Sequence, residues 1–156
     1  MASALRVMVI DDSAVVRAIL TDVIGRCAGL RVVAAESSAM AALHTLLVET
    51  VDIIVLDIEM PGMSGLVALP LLLERSAGAR VVVLSANVAQ GAAAAVDALA
   101  LGATETMLKP RQASFTGSFG SELTQRLLDL GAPSGVRATP IALQKPDDGF
   151  SAQPAY

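Results

Sequence analysis

The chain has no tryptophan, one tyrosine and three phenylalanines in 156 residues, and no aromatic residue stands before Phe115. A surface that stacks nucleic-acid bases has no material here. Basic charge is scarce as well: 11 Lys and Arg face 15 Asp and Glu, a net charge of −4. A surface that displaces counterions from phosphate backbones needs the opposite balance, so no nucleic-acid partner is expected. Cys27 is the single cysteine, which excludes an internal disulfide and a cysteine-built metal centre. Long apolar runs are also missing. The longest uncharged stretch, residues 81–96, contains Ser85, Asn87, Gln90 and Gly91. A spanning helix needs about 20 mostly apolar residues, so no membrane crossing is expected. The opening residues, MASALRVMVIDDS, do not form a secretory signal, and the expected compartment is the cytoplasm.

What is present is a chain 54% hydrophobic and 17% charged, which rules out disorder over its whole length. At this size one domain with a real core is available, burying roughly 70% of its unfolded surface. Short apolar runs alternate with helical patterns. Leu5 to Ile10 reads as a buried strand, followed by a helix capped by Ser13, with apolar residues at helical spacing from Val16 to Cys27. Residues 31–35 form a second strand, and Ser37 or Ser38 caps a helix reaching about Glu49. A third strand over 53–56 ends at Asp57, and a Pro-Gly-Met-Ser-Gly loop leads to a helix ending near Arg75. Pro70 should kink that helix or delay its regular start. The fourth strand covers 80–84, with an alanine-rich helix to Leu101; the fifth covers 104–108, with a last helix over 114–130.

Five strands alternating with five helices imply parallel βαβ units and a sheet covered on both faces. Beyond Gly131 the composition changes: Ala132 to Tyr156 holds four of the seven prolines and little apolar periodicity. We therefore read residues 1–131 as one domain and 132–156 as a disordered tail or interdomain linker.

Function in open parallel sheets collects at the carboxyl ends of the strands. Asp11 and Asp12 follow the first strand, Asp57 the third, Ser85 the fourth, and Lys109 then Pro110 the fifth. One Asp at a strand end is usually a turn former, and one Ser is usually a cap. Five such groups on one edge are harder to dismiss. Three carboxylates close together repel one another unless a cation sits among them. An all-oxygen ligand set without His or Cys suits a hard ion, Mg²⁺ above all. With an ammonium and a hydroxyl added, this is the apparatus of phosphoryl transfer to a carboxylate.

The segments VMVIDDSAVVR, VLDIEMPGMSGL, VVVLSA and GATETMLKP resemble the receiver domain of bacterial two-component response regulators. The resemblance covers about residues 4–130, with 46 residues from Asp11 to Asp57, 28 on to Ser85 and 24 on to Lys109. It implies an α/β, flavodoxin-like, doubly wound sheet in the order 2-1-3-4-5. Asp57 is then the phosphoacceptor, and Asp11, Asp12, Asp57 and the backbone carbonyl of Glu59 hold Mg²⁺. Ser85 and Lys109 contact the phosphoryl group, and the Lys109–Pro110 peptide is expected to be cis. A sensor histidine kinase is the implied donor. The implied output is altered partner binding through the fourth helix, fifth strand and fifth helix.

Within the family, IEMPGMSG, Ser85 and the Ser114-Phe115 and Glu122-Leu123 stretches are similar to the receiver half of chemotaxis methylesterases. The esterase domain of those proteins carries a Ser-His-Asp site. This chain has one histidine, His44, and no nucleophile elbow, so no methylesterase activity is expected in it. It reads either as a stand-alone receiver or as a fragment that ends in an interdomain linker. One departure from the family is Thr106, which stands where an aromatic residue is usual three positions before the lysine. Two other classes fare worse. An aspartyl-phosphate phosphohydrolase usually has an Asp where Glu59 stands, and it needs a cap domain. A binding module with a dead site would not keep all five groups. His44 reads as a solvated helix residue, and Cys27 as a small core residue.

Overall fold

The computed structural model describes residues 3–86, 88–110 and 117–131, with 88–91 described by backbone alone. The expected tail, residues 132–156, lies outside the described residues, as do Ser114 and Phe115. The element order is β1 (Leu5–Ile10), α1 (Ala14–Gly25), β2 (Leu30–Glu36), α2 (Ala39–Thr45), β3 (Ile53–Asp57), α3 (Gly65–Arg75), β4 (Arg80–Ser85), α4 (Val88–Ala100), β5 (Glu105–Leu108) and α5 (Ser118–Leu130). The strands form one sheet in the order β2-β1-β3-β4-β5, and every neighbouring pair is parallel. This is the doubly wound order that the sequence implied.

Alternate residues of each strand face opposite layers, so the unbroken apolar runs feed two cores at once. Val7, Val9, Ile53, Val55, Val82 and Leu84 pack with Leu20 and Ile24 of α1 and with Leu123 and Leu127 of α5. Met8, Ile10, Ile54, Leu56, Val81 and Val83 pack with Leu43 of α2, Leu69 and Leu72 of α3 and Ala98 of α4. All five residues of β3 are buried. Burying each large aliphatic side chain stabilises the fold by about 1.5–3 kcal/mol, so the central strand is firmly held.

Helix starts follow the expected chemistry. The hydroxyls of Ser13, Ser38 and Ser64 accept from the backbone N–H groups of Val16, Ala41 and Val67. Three expectations need correction. First, α2 stops at Thr45 because the N–H groups of Leu47 and Val48 bond three residues back, to His44 and Thr45, and tighten the end into turns. Second, α3 starts at Gly65, so Pro70 does not delay the start of the helix; the proline lies inside it on an exposed position. Third, the Lys109–Pro110 peptide is trans, since no described peptide bond is cis. Only about 0.5–1 kcal/mol separates the two isomers before proline, so residue type alone does not dictate cis.

One glycine ties α3 to the sheet edge. A Cβ on Gly65 would lie 2.4 Å from the carbonyl oxygen of Asp57 and 2.8 Å from Cα of Ile58. Both are backbone atoms, so no rotamer change relieves the clash. Gly65→Ala is expected to destabilise the protein by about 1–3 kcal/mol. Urea denaturation of the two proteins checks this, and an unchanged midpoint would contradict the close approach.

Candidate functional site

Register brings the site together. Ile10 pairs with Leu56, Asp57 with Leu84, and Ser85 with Leu108. The next residue on β1 is Asp11 and the next on β5 is Lys109, so both fall beside Asp57 at the carboxyl edge. Two backbone bonds extend this edge past the strands: Ile58 N–H donates to the Leu84 carbonyl at 3.0 Å, and Lys109 N–H donates to the Ser85 carbonyl at 2.8 Å.

The Lys109 ammonium lies 2.9 Å from Asp11 Oδ2 and 3.1 Å from Asp57 Oδ1. Both carboxylates are 1% exposed, whereas Asp12 is exposed. Asp11 Oδ1 accepts from Ser13 N–H at 2.9 Å, and the Asp11 carbonyl accepts from Arg17 at 2.8 Å. Asp57 Oδ1 also accepts from Glu59 N–H at 3.1 Å. Asp57 Oδ2 is buried without a hydrogen-bond partner, and it alone has that status among the described side-chain atoms. A buried acceptor left unpaired costs roughly 1–3 kcal/mol, so this atom is held ready for something the protein itself does not supply.

Asp11, Asp12 and Asp57 each offer an oxygen, and these atoms lie within 4.8 Å of one another. One ammonium among three acids leaves negative charge in excess. An all-oxygen site with an orphaned carboxylate atom fits a hard divalent cation. Burial, and then the charge of Asp11, push the Asp57 carboxyl up from 3.8 to about 7, against the opposing pull of Lys109. Burial alone would lower Lys109, but its bond to Asp11 and the charges of Asp57 and Asp11 raise it above the ordinary lysine value.

Ser85 is buried, and its hydroxyl donates to Glu59 Oε2 at 2.9 Å. The Ala86 N–H donates to Glu59 Oε1 at 3.0 Å. Thus all six residues singled out from the sequence, Asp11, Asp12, Asp57, Glu59, Ser85 and Lys109, stand at one edge. Sequence reasoning used only the Glu59 backbone and missed its side chain and the Ala86 amide. The one available signal was an acid two residues after Asp57. Beside Ser85, a cavity of about 240 Å³ extends under α4, and the small side chain of Thr106 forms part of its wall.

The raised carboxyl makes stability depend on pH in the metal-free protein. Below pH 3.8 Asp57 is protonated in both states, and above about 7 it is ionised in both. Between those values the folded chain holds a proton that the unfolded chain has released, so stability falls as pH rises. At about 1.4 kcal/mol per pH unit, the loss is a few kcal/mol. Asp57→Asn is therefore expected to be more stable than the parent at pH 8 with a chelator present. The advantage should shrink at pH 5. Urea midpoints at the two pH values check this, and an advantage that grows on acidification would reverse the assignment of cause.

Residues 7–115 match the response regulator receiver domain family. The chain is 39% identical over 155 residues to the protein-glutamate methylesterase/protein-glutamine glutaminase of the group 2 operon of Rhodospirillum centenum, covering 96% of this chain and 39% of that protein. It is 38% identical over 144 residues to protein-glutamate methylesterase/protein-glutamine glutaminase 2 of Caulobacter vibrioides, covering 91% and 41%. The chain thus spans about two fifths of the length of these relatives. Among solved structures, the response regulator domain of Thermotoga maritima CheB is similar at a TM-score of 0.67 and 32% identity, covering 81% of this chain and 92% of that one. The CheX–CheY–BeF3–Mg²⁺ complex from Borrelia burgdorferi shares the fold at a TM-score of 0.71 and 24% identity, covering 84% and 92%. The chain belongs to the response regulator receiver domain family, the phosphorylatable switches of two-component signalling.

Proposed function

We propose that Asp57 is the phosphoacceptor and that a sensor histidine kinase is its donor. The observation that carries this reading is Asp57 Oδ2, buried and unpartnered beside the Lys109 ammonium. In the transfer, an oxygen of the ionised Asp57 carboxylate forms a bond to phosphorus as the phosphorus–nitrogen bond of a phosphohistidine breaks. The imidazole leaves with the electron pair and takes up a proton. Lys109 holds one phosphoryl oxygen by charge, and the Ser85 hydroxyl donates to another. Asp11, Asp12, Asp57 and the Glu59 backbone carbonyl would hold Mg²⁺, which supplies neutralisation of the developing phosphoryl charge. The BeF3 and Mg²⁺ held in the Borrelia burgdorferi complex support the same chemistry for this chain.

The output surface is the α4–β5–α5 face. Receiver regions of methylesterases are the relatives matched, so we place this chain upstream of an esterase domain, with the ester-cleaving chemistry outside it. Residues 1–131 are read as the signalling domain and 132–156 as a tail or interdomain linker. No described helix is long and apolar enough to cross a membrane, and the reading is of a cytoplasmic protein.

Acetyl phosphate with Mg²⁺ is expected to add one base-labile phosphoryl group, and Asp57→Asn to abolish the labelling. Intact-mass measurement decides it, since equal labelling of that variant would move the nucleophile elsewhere. Millimolar Mg²⁺ should raise the melting temperature of the parent with a dependence on concentration, because only the folded cluster binds it. A melting temperature indifferent to Mg²⁺ would separate the three carboxylates from metal binding.

A further inference from the structure

We propose that the Glu59 carboxylate is an internal occupant of the anion cradle formed by Ser85 and Ala86, and that an incoming phosphoryl group must displace it. The inference rests on the reading of Asp57 as phosphoacceptor and adds a competitor to it. The Ser85 hydroxyl and the Ala86 N–H both aim at one anion, and that anion is the Glu59 side chain, held at 2.9 and 3.0 Å by its two oxygens. A carboxylate and a phosphoryl group are both planar or tripodal arrays of charged oxygen acceptors, and a donor pair that fits one fits part of the other. The Glu59 N–H meanwhile bonds to Asp57 Oδ1 at 3.1 Å, so the residue straddles the acceptor and the cradle.

Both groups cannot occupy the cradle together. Two anions sharing two donors would repel at close range beside the buried Ser85 and Asp57 side chains. Glu59 itself is exposed, so its side chain can swing to solvent without opening a void in the core. Ser85 and Ala86 then exchange one anionic partner for another rather than gaining a first one. The exchange lowers the net gain from binding a phosphoryl group, and it makes Glu59 the side chain that moves when the site fills.

The test is binding of beryllofluoride in the presence of Mg²⁺ to the parent, Glu59→Gln and Glu59→Ala, followed by amide resonances. Removing the competitor should tighten binding about tenfold in Glu59→Ala, the weight of one hydrogen bond to a charged group. Glu59→Gln, neutral but the same shape, should fall between. In probe-free Glu59→Ala the Ala86 amide proton should move upfield, and the probe should return it downfield; in the parent it should be downfield throughout. Equal affinity in parent and Glu59→Ala would overturn the competition and leave Asp57 as acceptor. Weaker binding by Glu59→Ala would mean that Glu59 assists, which also overturns it. No binding by any of the three proteins would remove the Asp57 reading and this inference together.

Discussion

The ammonium of Lys109 between two buried carboxylates is the contact on which the carboxyl edge depends. Asp11 and Asp57 are each 1% exposed, and both carboxylates take the same ammonium as a partner. A single cation shared at 2.9 and 3.1 Å holds β1, β3 and β5 to one geometry, since each strand end contributes one member. The pair of acids without the lysine would be an uncompensated buried charge, which is the expensive case. The lysine does not complete the compensation. Asp57 remains raised to about 7, because burial and Asp11 together outweigh what Lys109 returns. The protein therefore keeps a site that its own residues leave under-neutralised, an imbalance that a hard divalent cation would relieve.

The rigid parts of this arrangement lie behind the site and the adjustable parts in front. The β3 residues behind Asp57 are wholly buried, and Gly65 packs directly on the Asp57 carbonyl. In front, Glu59, Asp12 and Ala86 are exposed. Close packing resists continuous deformation, so a change of charge at Asp57 finds its outlet through side chains and loops on the open side.

Much of this was legible in the sequence because burial on both faces leaves an unmistakable trace. Runs such as Ile53–Leu56 cannot sit on a solvent-facing strand, and the polar residue that ends each run marks a strand end. Ser13, Ser38 and Ser64 announce helix starts because a cap needs a hydroxyl before the first turn. Features set by tertiary geometry leave no such trace. The Ala86 amide carries no side-chain signal, and a Glu in a loop can face any direction until its partners are placed. Thr45 ends α2 through backbone bonds alone, although Leu46, Leu47 and Val48 continue an apolar pattern that suggested more helix. The α5 start shifts from residue 114 to Ser118 after Gly117, whose φ of +74° is outside the helical range. The isomer of the Lys109–Pro110 bond depends on too small an energy difference for residue type to decide it.

Thr106 gives the edge a second asymmetry. Its small side chain leaves a cavity of about 240 Å³ between β4, β5 and α4, and Ser85 lines that same cavity. Ser85 is thus a wall shared by two compartments, one holding anions and the other apolar. Its hydroxyl is held on the anion side by Glu59, while the wall under α4 is mostly apolar, built from Ile58, Val83, Ala92 and Ala95, with the Thr106 hydroxyl as a further polar group. Whatever anion occupies the cradle therefore fixes the orientation of a residue that also bounds the space under α4. Among the described residues no aromatic ring lines that space, and α4 presents the small side chains of Ala92 and Ala95 to it. Alanine gives few dispersion contacts per residue, so the cost of repositioning α4 is set more by backbone and loop than by packing. Ser85 thus borders both the Glu59 carboxylate and the space under α4.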